Sequence, residues 1–431
     1  MKKLIALVVA LVVIAPPATA ANPTVTVMSR NIYLGADVGV ALELIPNMPA
    51  AAQFMWEQVK ATDFSKRSAL FVEEINRESP DVIGLQEATI WYCKAHLWSG
   101  KTEVFNFTNQ LLKALDGRYV IAEHKGRQAF NPGYSIGPIP FLTTVNDPDT
   151  FQPLFGSDKA SCGFQIGDAL LVKSDRAADV LAVGNTEYEA IYKVVPTLME
   201  IRRGYTWADI RIGSTTTRFV TTHLESLFSE NEVPTAALQA EQLITDIRKT
   251  KAPVIVMGDF NSDPRDPRGV DAPNPGGQPV ANAKCAVGAT ECNAYRLMRD
   301  AGFTDAGPDA SDPAAYTWGM NALLSAPDSK RVEAARKMGN NFGFTDRLDY
   351  ILFKNGVEVS TSRVIGIQPP YASDHAGIVS ELEIASANLD LDAPLDSHAP
   401  FPISFWQWVG LALVTLVTWM FTLRMRRKRH K

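Results

Sequence analysis

The sequence predicts an α/β domain, and three observations lead there. Short apolar runs rich in β-branched residues alternate along the chain with amphipathic stretches at helical spacing. Polar and acidic residues recur where the apolar runs end, which is where α/β folds place their ligands. The composition, 46% hydrophobic and 21% charged over 431 residues, suits one large α/β domain or two small ones.

In chain order, Thr24 to Met28 alternates Val and Thr and predicts a strand. Ser65 to Glu78 predicts a helix with Leu70, Phe71 and Ile75 on one face, stopped by Pro80. Asp81 to Glu87 is then a short buried strand ending in a carboxylate. A second helix is expected over about Val104 to Leu115, then a strand at Tyr119 to Ala122. Gly126 to Gly163, rich in aromatics, Pro and Gly, reads as loop. Strands follow at Ala169 to Val172, Trp207 to Ile212 and Arg218 to His223. Thr235 to Lys249 carries Ala240, Leu243, Ile244 and Ile247 at helical spacing. Pro253 to Met257 is a buried strand running into Gly258-Asp259-Phe260-Asn261, and Asp263 to Cys292 is a second long loop. Tyr350 to Phe353 and Ile378 to Ile384 are the last strands. All of these belong to one domain, about residues 22–385.

Both ends differ from the middle. Lys2 and Lys3, the apolar run Leu4 to Ala15, Pro16-Pro17 and Ala18-Thr19-Ala20 make residues 1–21 a signal peptide, with an uncleaved anchor as the alternative. Residues 386–404, rich in Asp, Ala and Pro, read as a stalk. Residues 405–423 carry no charge and are long enough to span a bilayer, with Trp406, Trp408 and Trp419 towards the ends. The basic tail 424–431 fixes the expected orientation, with the domain outside and the tail in the cytoplasm. The same arrangement also suits a C-terminal sorting signal that is removed. The expected localisation is therefore export, with a membrane anchor or release. Taking away leader and tail removes eight basic residues and no acidic ones, leaving 34 basic against 47 acidic, a net charge of −13. Such a balance lacks the electrostatic footprint of tight, sequence-independent polyanion binding. Four cysteines in an exported chain suggest disulfides. Cys285 and Cys292 lie close together in the second loop and are paired here, which leaves Cys93 with Cys162; free buried thiols remain the alternative.

The chemistry-bearing residues cluster at strand ends: Ser29-Arg30-Asn31, Leu85-Gln86-Glu87, Thr222-His223-Leu224-Glu225, Gly258-Asp259-Phe260-Asn261 and Ser373-Asp374-His375, with Asp346-Arg347-Leu348-Asp349-Tyr350 before the last. In-line attack of water on a phosphoester needs a hard cation, a base and donors for the phosphoryl oxygens. Carboxylates suit a hard cation such as magnesium, and Glu87, Asp259 and Asp374 supply them. His375 is the candidate base. Asn31 and Asn261 offer neutral donors, and Arg203 a bidentate phosphate contact. Taken singly, each has an ordinary reading as a turn residue or solvated strand end; in this order they converge on one chemistry.

The ordered set resembles the endonuclease/exonuclease/phosphatase superfamily, over essentially the whole expected domain. The resemblance implies two mixed β-sheets packed face to face with helices outside, a four-layer sandwich. It implies Glu87 as the main metal ligand, completed by Asp374, with Asn31 and Asp259 contributing. His223 would stabilise the transition state or protonate the leaving group, Asp259 and Asn261 would position the phosphate, and Asp349 would orient His375. Arg203 matches a phosphate-contacting arginine. The implied cofactor is Mg2+, with Mn2+ or Ca2+ as substitutes. The implied reaction is phosphodiester hydrolysis on a lipid head group, nucleic acid or nucleotide, sphingomyelinase-like or nuclease-like, with a phosphomonoesterase third and a non-catalytic surface binding module as the rival class. The opening Ser-Arg-Asn-Ile-Tyr-Leu-Gly-Ala-Asp looks like a branch of exported bacterial members. No carboxylate partner for His223, of the kind the deoxyribonucleases carry, is legible.

Overall fold

Two parallel strand pairs organise the molecule. The computed structural model describes residues 22–45, 47–94, 100–144, 159–195 and 199–385. The expected leader, stalk, membrane helix and basic tail lie outside these residues. Among the described residues no helix is long and apolar enough to cross a membrane.

The first pair is Thr24–Asn31 with Val82–Gln86. A parallel pair needs a crossover, and helices Met48–Thr62 and Phe64–Glu78 provide it. The second pair is Thr215–His223 with Val254–Asp259, crossed over by helix Thr235–Ile247. Antiparallel neighbours extend each pair into a mixed sheet. In the larger sheet the order is Val357–Ile365, Gly377–Ile384, Thr24–Asn31, Val82–Gln86, Lys159–Lys173, Ile90–Lys94 and Thr102–Asn106. The smaller runs Val180–Glu187, Gly204–Ile212, Thr215–His223, Val254–Asp259, Asp349–Lys354 and Thr304–Asp305.

Strand alternation builds the layers. Val25, Val27, Val82, Leu170 and Val172 of one sheet pack against Ile210, Phe219, Ile255, Met257 and Ile351 of the other. The opposite faces, Met28, Ile83 and Leu85 on one side and Val220, Val254 and Val256 on the other, bury helices. Helix Thr235–Ile247 inserts Ala240, Leu243 and Ile247, and each large apolar side chain contributes roughly 1.5–3 kcal/mol. The result is the expected four-layer α/β sandwich, helix on sheet on sheet on helix.

The structure corrects two expectations. The helix expected over Val104 to Leu115 is strand Thr102–Asn106 followed by helix Phe107–Ala114. Phe105 pairs with Trp91, and the Asn106 side chain then accepts from Asn109 N at 3.1 Å, starting the helix there. The stretch Gly126 to Gly163, expected as loop, contains strand Phe130–Thr144 and the start of Lys159–Lys173, which pair antiparallel with several register shifts. Its glycines mark close backbone approach: a Cβ at Gly133 would lie 1.5 Å from the Ile166 carbonyl oxygen, and one at Gly167 would lie 1.9 Å from that of Asn131. Both expected disulfides, Cys93–Cys162 and Cys285–Cys292, are present, and the first joins directly opposed residues of adjacent strands.

Candidate active site

Parallel pairing brings four strand ends to one side. Asn31 lies opposite Gln86 in one sheet and His223 opposite Asp259 in the other. The next strand of the second sheet places Asp349 opposite Asp259. Glu87 and Asn261 each follow a strand in left-handed conformation, φ 55° and 44°, which costs a non-glycine residue roughly 1–2 kcal/mol. In exchange the Glu87 carboxylate accepts from Leu34 N, and the Asn261 side chain donates to Leu224 O at 2.9 Å.

Asp259 is the hub. Its Oδ2 accepts from Asn31 Nδ2 at 3.0 Å and its Oδ1 from Asn261 N at 2.9 Å. The Nε2 atoms of His223 and His375 each stand 3.6 Å from Oδ2. Burial pushes its carboxyl up to about 7, against the pull of His375. Burial, then the charge of Asp374, raises Glu87; burial likewise raises Asp374, against His375 and Arg67. Two half-buried carboxylates in mutual electrostatic reach, with Asn31 and Asp259 on neighbouring strand ends, form the oxygen-rich donor set that a hard divalent cation prefers. Asp259, Asp349 and His375 also bring ligand atoms within 4.8 Å of one another, but there the imidazole Nδ1 is already engaged by Asp349.

His375 Nδ1 faces Asp349 Oδ2 at 2.8 Å, and the Asp349 amide donates to Thr317 Oγ1 at 3.2 Å. Burial works to lower the His375 pKa, but Asp349, Asp259 and Asp374 outweigh it and push it up to about 10. The His375 carbonyl accepts from Arg30, whose guanidinium also binds both oxygens of Glu74.

His223 has the opposite surroundings. Arg203 Nη1 lies 3.1 Å from its Nδ1, and Arg203 Nε donates to Glu225 at 3.2 Å. An arginine only donates, so Nδ1 accepts and the neutral ring carries its hydrogen on Nε2, towards Asp259. Burial, Arg203 and His375 hold this histidine well below the ordinary imidazole value.

Of the nine residues expected in the site, Asn31, Asn261, His223 and His375 surround Asp259, Asp349 backs His375, Arg203 backs His223 as its polar partner, and Glu87 and Asp374 stand within electrostatic reach of each other and of His375. Five further residues belong to the surroundings. Arg30 and Glu225 lie inside the sequence motifs, so their position was a signal. Thr317, Arg67 and Asp168 had none, because the partners that tie them to the site are distant in sequence. Asp168, 3% exposed, sits on the strand next to Val82–Gln86, and burial raises its carboxyl well above the usual range.

A sequence model described as the Endonuclease/Exonuclease/phosphatase family matches residues 31–375. No curated protein matches the chain. Among solved structures, an endonuclease/exonuclease/phosphatase from Beutenbergia cavernae is 16% identical, with 84% of this chain and 72% of that one covered and a TM-score of 0.47. A family protein from Leptotrichia buccalis is 17% identical over 84% and 100%, with a TM-score of 0.45. A Bacteroides thetaiotaomicron mannosyl-6-phosphatase is 14% identical over 83% and 99%, with a TM-score of 0.42.

Proposed function

The chain belongs to the endonuclease/exonuclease/phosphatase family, whose members are metal-dependent phosphoesterases, and on that premise we propose that it hydrolyses a phosphodiester by in-line attack of water. The observation that carries this reading is the pair of histidines facing Asp259 from two sides, one backed by a carboxylate and one by an arginine.

His375 takes the proton of the attacking water on Nε2, while Asp349 holds the ring and stabilises the imidazolium that forms. His223 donates a hydrogen bond from Nε2 to a phosphoryl oxygen, with Asn31 and Asn261 orienting the group and Arg203 adding positive charge behind it. Glu87 and Asp374, with Asn31 and Asp259 at the edge, would hold Mg2+, or Mn2+ or Ca2+ in its place. When bound, such an ion neutralises phosphoryl charge and orients the ester. An ion held there would lie against Asp374 and Asp259, two of the three carboxylates whose charge raises His375, and so would favour the neutral ring that acts as base.

Within phosphodiesters, the acidic balance of the exported portion favours a small or zwitterionic substrate, such as a phospholipid head group, over a long polyanion. The two disulfides support export to an oxidising compartment. The test is hydrolysis of bis(p-nitrophenyl) phosphate, sphingomyelin vesicles, plasmid DNA and an inositol phosphate, with and without Mg2+ and with His375→Ala as control. Mg2+-dependent turnover lost in the control establishes the activity and names its substrate class. Turnover of plasmid DNA alone makes the chain a nuclease, and no turnover with several metals sinks the reading.

A further inference from the structure

Helix Phe64–Glu78 reaches the site through two buried ionic side chains that the chemistry above does not use. Arg67, 3% exposed, spends its guanidinium on backbone carbonyls: Thr62 at 3.1 Å, Ile32 at 2.7 Å, Tyr33 at 3.1 Å and Ala372 at 3.0 Å. Ile32 and Tyr33 lie between Asn31 and Leu34, whose amide binds the Glu87 carboxylate. Ala372 stands two residues before Asp374. One guanidinium thus joins the two segments that set Glu87 and Asp374, and its charge acts on both carboxylates.

Glu74, seven residues along and on the same face of the helix, holds Arg30 through both oxygens, at 3.0 and 3.1 Å. Arg30 in turn donates to the His375 carbonyl. The backbone closes tightly on this pair. A Cβ at Gly366 would lie 2.7 Å from Arg30 Nη2 and 2.8 Å from Glu74 Oε1, and a Cβ at Gly377 would lie 2.7 Å from Arg30 Cδ.

Burying a guanidinium is a costly way to fix a helix to a sheet, and apolar packing does that work with less desolvation. What an apolar side chain cannot do is hold several named carbonyls at fixed positions. We propose that Arg67 and the Arg30–Glu74 pair are positioning residues of the site, Arg67 for the metal-binding carboxylates and Arg30 for the base His375. The proposal rests on the hydrolase reading, and it assigns the two ties different effects.

The experiment compares Arg67→Lys, Glu74→Gln and Gly377→Ala with the wild-type protein. It reads Mg2+ affinity by calorimetry, kcat on bis(p-nitrophenyl) phosphate, the His375 imidazole resonances by NMR, and Tm. Lysine cannot span four carbonyls, so Arg67→Lys raises the Mg2+ Kd by about tenfold. Glu74→Gln lowers kcat by about tenfold and shifts the His375 resonances, with the Mg2+ Kd within about twofold of wild type. Gly377→Ala crowds Arg30 and reproduces the Glu74→Gln pattern, which keeps the test available if Arg67→Lys does not fold. A lower Tm with Kd, kcat and His375 resonances all unchanged overturns the proposal, as does an identical loss in every readout for all variants. Wild-type protein that binds Mg2+ but turns over no ester overturns the hydrolase reading alone, because the Kd and the resonances still decide the positioning roles. Wild-type protein that binds no Mg2+ overturns both.

Discussion

His223 and His375 stand at the same distance from one carboxylate, each with Nε2 3.6 Å from Asp259 Oδ2, and both are almost fully buried. Their far nitrogens differ. His375 Nδ1 faces Asp349 and His223 Nδ1 faces Arg203. Burial disfavours the charged form of either ring. At His375 three carboxylates outweigh burial, and at His223 the arginine adds to it, so the two pKa values move apart. The lesson is that the partner behind the ring, rather than distance to the reaction centre, separates a proton acceptor from a fixed hydrogen-bond donor.

The largest expected effect breaks the comparison on the His375 side. His375→Ala lowers kcat by about 10²–10⁴-fold while Mg2+ binding persists, whereas Glu87→Ala weakens Mg2+ binding itself. Metal titration of both variants checks this, and equal loss of affinity removes the division of labour between base and ligand. Asp349→Asn comes next. It removes the first of the charges that raise His375, so the imidazole pKa falls from about 10 in an NMR titration of the metal-free protein, and kcat falls with it. An unmoved pKa contradicts the assigned partner.

The same pair makes a pH prediction for stability. The His375 pKa is raised in the fold, from 6.5 to about 10. Its stabilisation is therefore complete below about 6.5 and is lost as pH rises through about 10. The Tm difference between metal-free wild type and Asp349→Asn is thus largest in mildly acidic buffer and shrinks towards pH 10. His223 has the reverse sign, since its neutral form is the one the fold holds. Arg203→Met removes one of the two charges that keep it neutral, so the His223 pKa rises, and kcat falls by roughly 10–100-fold. A His223 titration indistinguishable from wild type counts against the arginine's role. The smallest effect is at Thr317→Val, which leaves the Leu348 and Asp349 amides without their common acceptor. It costs about 1 kcal/mol in denaturant unfolding, with kcat within a few fold.

Legibility in the sequence followed locality. The strand-end motifs were readable because each is a short apolar run closed by a polar residue, as in Val254–Asp259. Helix Thr235–Ile247 was readable from its periodicity. Strand Phe130–Thr144 was hidden because Gly and Pro signal turns locally, while here Gly133 lets the backbone approach Ile166. Helix Met48–Thr62 is absent from the sequence expectation, although Asn47 caps it and Ala51, Met55 and Val59 recur at helical spacing on its buried face. Glu225 lies inside a legible motif, but its role is not legible there, since its contact is with Arg203, 22 residues away.

The sequence by itself determined the alternating α/β organisation, the candidate ligands and base, the acidic balance and the close spacing of Cys285 and Cys292, because each depends on residue type, period or short spacing, whereas the bond between Cys93 and Cys162, 69 positions apart, depends on strand pairing. Only the tertiary structure decided which nitrogen of each histidine faces which partner. Only it placed an arginine behind His223, and joined one helix both to the carboxylate segments and, through Arg30, to the base. Those contacts join residues as far apart as Arg30 and His375, 345 positions along the chain. Their energies arise from burial and charge at short range, which exist only once the strands have paired.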